Sequence, residues 1–212
     1  MKRTIYILVI VTLLWGAVPC VLGTQADTAP SQEYKIKAAF VYNFIKFVDW
    51  PKTKIAEAND VITIGIIGKD PFGKAFEPIL KKNIKEKKLL IKQFPSLSSF
   101  GDDSNDHQYE KRYRDKYEKL LEKCHVLFIC SSEQRYFEPI INMVNDSAVL
   151  TVGETEGLLE LGGIIKFTME QKKVRFEINA GAARKCKLKV RSQLLRLARK
   201  VIDDKKSGDA AK

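Results

Sequence analysis

Val61-Ile62-Thr63-Ile64-Gly65-Ile66-Ile67-Gly68 (residues 61–68) is β-branched at every position except its two glycines and carries no charge. Branching at Cβ crowds a helix and suits a pleated strand, and an unbroken apolar run marks a strand covered on both faces. Asp70-Pro71 follows at once. A proline just after a turn is at home in the first position of a helix, so a helix is predicted over 70–80.

The same alternation continues outward towards the C-terminus. Lys88–Phe94 reads as a second strand, 95–107 as a polar loop and 108–123 as a charged, solvated helix. A third strand is predicted over 124–130, centred on His125-Val126-Leu127-Phe128-Ile129. Then come a helix over 133–144, a short strand over 148–152 ending at Gly153, and a turn at Leu158-Leu159. Strands over 164–169 and 174–178, joined by Glu170-Gln171-Lys172-Lys173, form an expected hairpin. The segment 180–202 is predicted to be one helix, with Leu194, Leu195, Ala198, Val201 and Ile202 on one side and basic residues on the other. Towards the N-terminus, Tyr34, Ile36, Phe40, Val41, Phe44, Ile45, Phe47 and Val48 recur at helical spacing. Ser31 is the expected N-cap, and Trp50-Pro51 is the expected stop. Strands separated by helices predict the α/β class. The expected form is a single-domain sandwich with a mainly parallel sheet, helices on both faces, and a C-terminal β-hairpin plus helix.

The first 23 residues read differently. Lys2 and Arg3 precede an uncharged run over 5–18, Pro19 breaks it, and Gly23 offers a small residue before Thr24. This is the order of a cleavable signal peptide, and the run is shorter than the roughly 20 apolar residues of a membrane span. Pro19 before Cys20 argues against a lipoprotein cut. The expected division is therefore signal peptide 1–23, polar leader 24–31, folded domain 32–203 and flexible tail 204–212, with the domain in the periplasm. Cleavage would take the formal charge from +11 to +9 by removing Lys2 and Arg3. So basic a chain invites nucleic acid, but neither zinc-finger spacing nor an aromatic-rich basic strand is present. A solvated basic surface is the plain expectation, and peripheral contact with an anionic membrane is the functional one.

Candidate chemistry is sparse. His107 and His125 are the only histidines, and neither has a partner at metal-ligand spacing. No nucleophile pairs with a base at a recognisable interval. The expectation is no catalytic residue, no metal and no cofactor. Open α/β sheets take ligands at the carboxyl ends of their strands, so Gly68, Asp70, Phe72, Gly153 and Thr155 are the candidate ligand positions; against this stands the plain reading of tight-turn glycines. Arg184, Lys187 and Arg191 are the candidate interaction surface, for an acidic partner or lipid headgroups, against a merely solvated helix face. Cys124, Cys130 and Cys186 are the candidate redox residues. Six residues of strand would hold Cys124 and Cys130 about 20 Å apart, too far to bridge. One of them could pair with Cys186, yet buried free thiols are the expected state.

Three segments together resemble the YfiR family of periplasmic proteins. They are Lys37-Ala38-Ala39-Phe40-Val41-Tyr42-Asn43-Phe44 through Trp50-Pro51, then Cys124 to Ile129. The third runs from Val149-Leu150-Thr151-Val152 past Gly162-Gly163 to Val174-Arg175-Phe176-Glu177-Ile178-Asn179 and Leu194-Leu195-Arg196-Leu197-Ala198. The resemblance implies a compact α/β sandwich, often a homodimer, with a regulatory and non-catalytic role. It implies restraint of a membrane-anchored diguanylate cyclase through the periplasmic part of that inner-membrane protein, and no nucleic-acid partner. The alternative is a periplasmic small-ligand sensor coupled to a histidine kinase or another membrane partner. Redox-sensitive disulfides regulate some members, but three cysteines after position 23 instead of two pairs argue against such a switch here.

Overall fold

The computed structural model of the chain describes residues 31–56, 58, 60–100 and 107–203. The expected signal peptide, nearly all of the leader and the tail lie outside them. Helix α1 (Gln32–Phe47) starts where Ser31 accepts the Tyr34 N–H on its hydroxyl, at 3.4 Å. It ends earlier than its apolar pattern suggests. Val48–Asp49 is a two-residue strand, β1, followed by Trp50-Pro51 and the short helix α2 (Lys52–Ala56). Strand β2 (Val61–Ile67) leads into a loop, a 3-10 turn (Gly73–Phe76) and α3 (Glu77–Leu80). The predicted helix over 70–80 is thus only its second half. Asp70 caps its own turn by accepting the Phe72 N–H at 2.7 Å, and this competes with helix at that point.

Beyond it run β3 (Lys88–Phe94), α4 (His107–Leu121), β4 (Val126–Ile129) and a 3-10 turn (Ser131–Tyr136). The chain continues through α5 (Phe137–Val144), β5 (Leu150–Gly153), β6 (Ile165–Glu170) and β7 (Lys173–Asn179). It closes with α6 (Ala180–Lys185), β8 (Lys189–Val190), α7 (Ser192–Leu197) and β9 (Lys200–Ile202). Seven strands form one sheet in the order β3-β2-β4-β5-β6-β7-β9, and only the β6–β7 hairpin is antiparallel. The mainly parallel α/β sandwich is as expected.

Both faces of the sheet are covered. Ile62, Ile64 and Ile66 of β2 face α1, whose Phe44 packs at a tilt on Phe167 and edge-on against Phe176 of the hairpin. Ile67, Leu127 and Ile129 face α4 and α5 through Leu121, Phe137 and Ile140. On that second face Gly65 is required by close approach: a Cβ there would lie 2.8 Å from the Cys124 sulfur.

The predicted single helix over 180–202 is corrected. After α6 the backbone at Lys187 turns left-handed, with φ of 58°, and drives Leu188 into the core at 2% exposure. Lys189 and Val190 then pair antiparallel with β1, and Lys200–Ile202 pair parallel with β7. The hydrogen-bonding edges of β1 and β7, together with burial of Leu188 and Leu194, outweigh a local helical preference worth only tenths of a kcal/mol per residue. Among the described residues no helix is long and apolar enough to cross a membrane.

Candidate functional sites

The parallel strands deliver their carboxyl ends to one edge of the domain. β2 is followed in sequence by β3 on one side and then by β4 on the other, so the switch point lies between the ends of β2 and β4. Gly68 sits there with φ of 93°. A Cβ on Gly68 would collide with the Ser132 hydroxyl and lie 2.6 Å from the Glu133 carboxylate. Glu133 is wholly buried and accepts from the Leu97 N–H at 2.9 Å, the Ser96 hydroxyl at 3.0 Å and the Ser132 hydroxyl at 3.1 Å. Asp70 is likewise engaged, by the Phe72 N–H and by the Gln93 amide. The chain's own carboxylate and loop donors fill the crevice in which such sheets seat a ligand.

The five candidate ligand positions therefore do not line one open hollow. Gly68, Asp70 and Phe72 share a loop, but Phe72 is fully buried between Tyr34, Phe76 and Phe128. Gly153 and Thr155 lie two strands away, at the end of β5 beyond β4. Gly153 is pressed against Leu158, which leaves no room for a side chain, and the Thr155 hydroxyl is enclosed without a partner.

Next to Gly153 lies a cluster that sequence reasoning missed. Lys37, 3% exposed, pairs with Glu33 one turn before it and with Glu154 across the domain. The Tyr34 hydroxyl also donates to Glu154, at 3.0 Å, and the Lys37 ammonium lies 4.5 Å from the Tyr34 ring centroid. Burial, and then the Glu154 charge, raise the Tyr34 phenol well above its ordinary range. A small hollow of about 250 Å³ opens beside this cluster. One signal was available: Tyr34, Lys37, Val41, Phe44 and Val48 follow 3–4 spacing, and a lysine in such a stripe must be paired. Glu133 left no such trace.

The candidate interaction residues are dispersed by the broken C-terminal segment. Arg184 pairs with Asp203, while Arg191 makes a forked contact with Asp49, at 2.7 and 3.0 Å, across the β1–β8 ladder. Hydrogen bonding from Arg191 holds the Asp49 carboxyl below its ordinary value, and the Lys85 ammonium 3.6 Å away adds to this. Lys187 is exposed at the left-handed turn. One helix face does not present all three.

Cys124, Cys130 and Cys186 are free and buried. Cys124 lies in the α4–α5 layer, whereas Cys130 and Cys186 lie in the α1 layer, so the sheet separates the first from the other two. Burial pushes their thiols up, to about 11, about 12 and about 11 respectively, which suppresses the reactive thiolate. His107 falls in a part of α4 whose side chains lie outside the described set. Among the described residues no three His, Cys, Asp or Glu side chains converge as metal ligands would.

Solved structures share the fold at low identity. A conserved domain protein from Vibrio cholerae O1 biovar El Tor matches with a TM-score of 0.51 and 12% identity, over 79% of this chain and 60% of that one. The ABC domain from Streptococcus pneumonia, solved in complex with L-Trp, matches with a TM-score of 0.52 and 11% identity, over 80% of this chain and 60% of that one. The chain thus corresponds to about three-fifths of either neighbour. No curated protein matches it. A family model described as YfiR/HmsC-like matches residues 34–199.

Proposed function

The chain belongs to the YfiR/HmsC-like family, and from that premise we propose that it is a non-catalytic regulator acting in the periplasm. In this reading it binds the periplasmic part of an inner-membrane signalling protein, a diguanylate cyclase, and restrains it, so that cyclic-di-GMP and biofilm formation stay low. The observation that carries the reading is the extent of the family match, from α1 through α7. A crevice closed by Glu133 agrees with recognition by surface rather than by a deep active site. Arg184, Lys187 and Arg191 are the proposed contact positions, with Arg191 the strongest because it directly follows β8 and its forked contact with Asp49 of β1 fixes its side chain. The proposed address rests on the predicted signal peptide and on the family.

Photocrosslinkers placed at Lys187 and Arg191 in intact cells should trap a membrane protein with a cyclase domain. Deletion of the gene should raise cyclic-di-GMP. Unchanged cyclic-di-GMP, together with crosslinks only to soluble proteins, would refute the reading.

A second reading, a periplasmic small-ligand sensor, draws support from the streptococcal ABC domain, which carries L-Trp on a related fold. Gly68, Asp70, Phe72, Gly153 and Thr155 are its proposed positions. A thermal-shift screen of the mature protein against small metabolites tests it, and a screen in which nothing moves would exclude it.

A further inference from the structure

At the other edge of the sheet, where the chain enters the parallel strands, His125 immediately precedes β4. It is 2% exposed. Its backbone N–H donates to the Thr63 carbonyl at 2.9 Å, and its side-chain Nδ1 accepts the Thr63 N–H at 3.2 Å. This second bond decides the tautomer. An Nδ1 that accepts leaves the proton of the neutral ring on Nε2. Burial, with the Lys54 and Lys87 charges behind it, lowers this histidine to about 4, so the ring is neutral at ordinary pH. Its Nε2–H is then a buried donor that no acceptor meets at hydrogen-bond geometry, although the Lys54 backbone offsets part of the lowering. Trp50, whose ring centroid lies 6.2 Å away, holds a second buried donor without a partner, Nε1–H. An enclosed donor left unmet forfeits its hydrogen bond to water with nothing in return, which makes such a pair hard to account for as packing alone.

His125 lines a cavity of about 310 Å³ whose other walls are Lys54, Ala58, Lys119, Glu122 and Lys123. Three of these are lysines. The Lys54 ammonium donates to the Glu122 carbonyl, and the one carboxylate of the lining, that of Glu122, accepts the Ser147 hydroxyl at 2.8 Å. Lys119 and Lys123, on the last turn of α4 and just beyond it, are exposed and form no ion pair among the described residues. A neutral buried donor and exposed ammonium groups in one lining favour an anionic oxygen.

We propose that this cavity binds a small anion through a carboxylate or phosphate oxygen, with the His125 Nε2–H as its buried donor and Lys119 and Lys123 as the charges that draw it in. The site lies at the opposite end of the sheet from the crevice closed by Glu133 and does not depend on which membrane protein the chain contacts.

The test is a long-range nitrogen–proton NMR spectrum of the mature protein at pH 7 and low salt, titrated separately with inorganic phosphate and with succinate. The Nε2 signal of His125 should start in the protonated, neutral position and move saturably below about 20 mM of at least one probe. Response to phosphate alone, succinate alone or both identifies the oxygen chemistry accepted, and each of these supports the site. K119Q/K123Q, which alters only exposed side chains, should raise the half-saturating concentration about fivefold or more, and added salt should weaken binding in the same sense. K200Q, on the far edge strand, should leave the titration unchanged. The proposal is overturned if neither probe moves the signal, if an ordered water alone satisfies Nε2, or if K119Q/K123Q responds as the parent does.

Discussion

The two ends of the parallel strands have opposite chemistry. At the carboxyl ends, carboxylates are met by donors: the buried Glu133 by Ser96, Leu97 and Ser132, and the half-buried Glu154 by Tyr34 and Lys37. At the entry ends the imbalance is reversed, because Trp50 and His125 hold donors with no acceptor and the neighbouring charges are mostly lysines. Apart from the Thr155 hydroxyl, the first end is finished by the chain's own groups, and its hydrogen bonds act as internal ties. The second end is unfinished, and an unfinished buried donor is the feature that asks for something from outside.

The sharpest way to break this contrast is to remove an acceptor from the finished end. Glu133→Ala orphans the Leu97 N–H and opens the crevice. It should cost about 3 kcal/mol in denaturant unfolding, read as a lower midpoint at unchanged slope. A loss below about 1 kcal/mol would mean that the loop after β3 is not held by this carboxylate. Lys37→Ala leaves Glu154 without its ammonium. It is expected to cost about 2 kcal/mol, part of it as lost packing of the lysine stem on Tyr34.

The unfinished end should respond to acid. His125 is depressed to about 4 when folded, against about 6.5 when unfolded. Between those values the unfolded chain binds the extra proton, so the stabilisation is fully present above about pH 6.5 and is lost as pH falls towards 4. From pH 7 to pH 4.5 the histidine should account for about 2 kcal/mol of lost stability. His125→Gln should flatten that segment of the stability–pH curve, and an unaltered slope would contradict the buried neutral ring. Smaller still, the three thiols should react slowly with a thiol reagent in the native protein at pH 8 and all at once in denaturant. Fewer than three in denaturant would reveal a disulfide in the mature chain. Least of all, Asp49→Ala, which removes an exposed partner of Arg191, should leave the unfolding midpoint within experimental error while lowering crosslinking yield at the β1–β8 surface.

Much of this was legible from local pattern. The buried strand over 61–68, the strand before Cys130 and the hairpin at Gln171-Lys172 follow from β-branching, apolar runs and turn chemistry, all of which act over a few residues. Ser31 as a cap was legible for the same reason. The C-terminal segment was not, because its leucines keep helical spacing while the left-handed turn at Lys187 and the ladders of β8 and β9 depend on strands more than 20 residues away. The candidate sites divided in the same way. The cysteines' burial could be inferred from their apolar neighbours, whereas Glu133 looks in sequence like any charged residue opening a helix.

By itself, then, the amino-acid sequence determined the class of fold, the order of most elements and the family, because periodicity and short motifs encode those locally. Tertiary structure alone decided which polar groups meet. Only the folded sheet brings Lys37 to Glu154 across 117 residues and Glu133 to Leu97 across 36. The same folding buries His125 and Trp50 and leaves their ring N–H groups without an acceptor at hydrogen-bond geometry. Satisfaction of a buried polar group is a property of its surroundings in space, and it is this property that separates the closed end of the sheet from the open one.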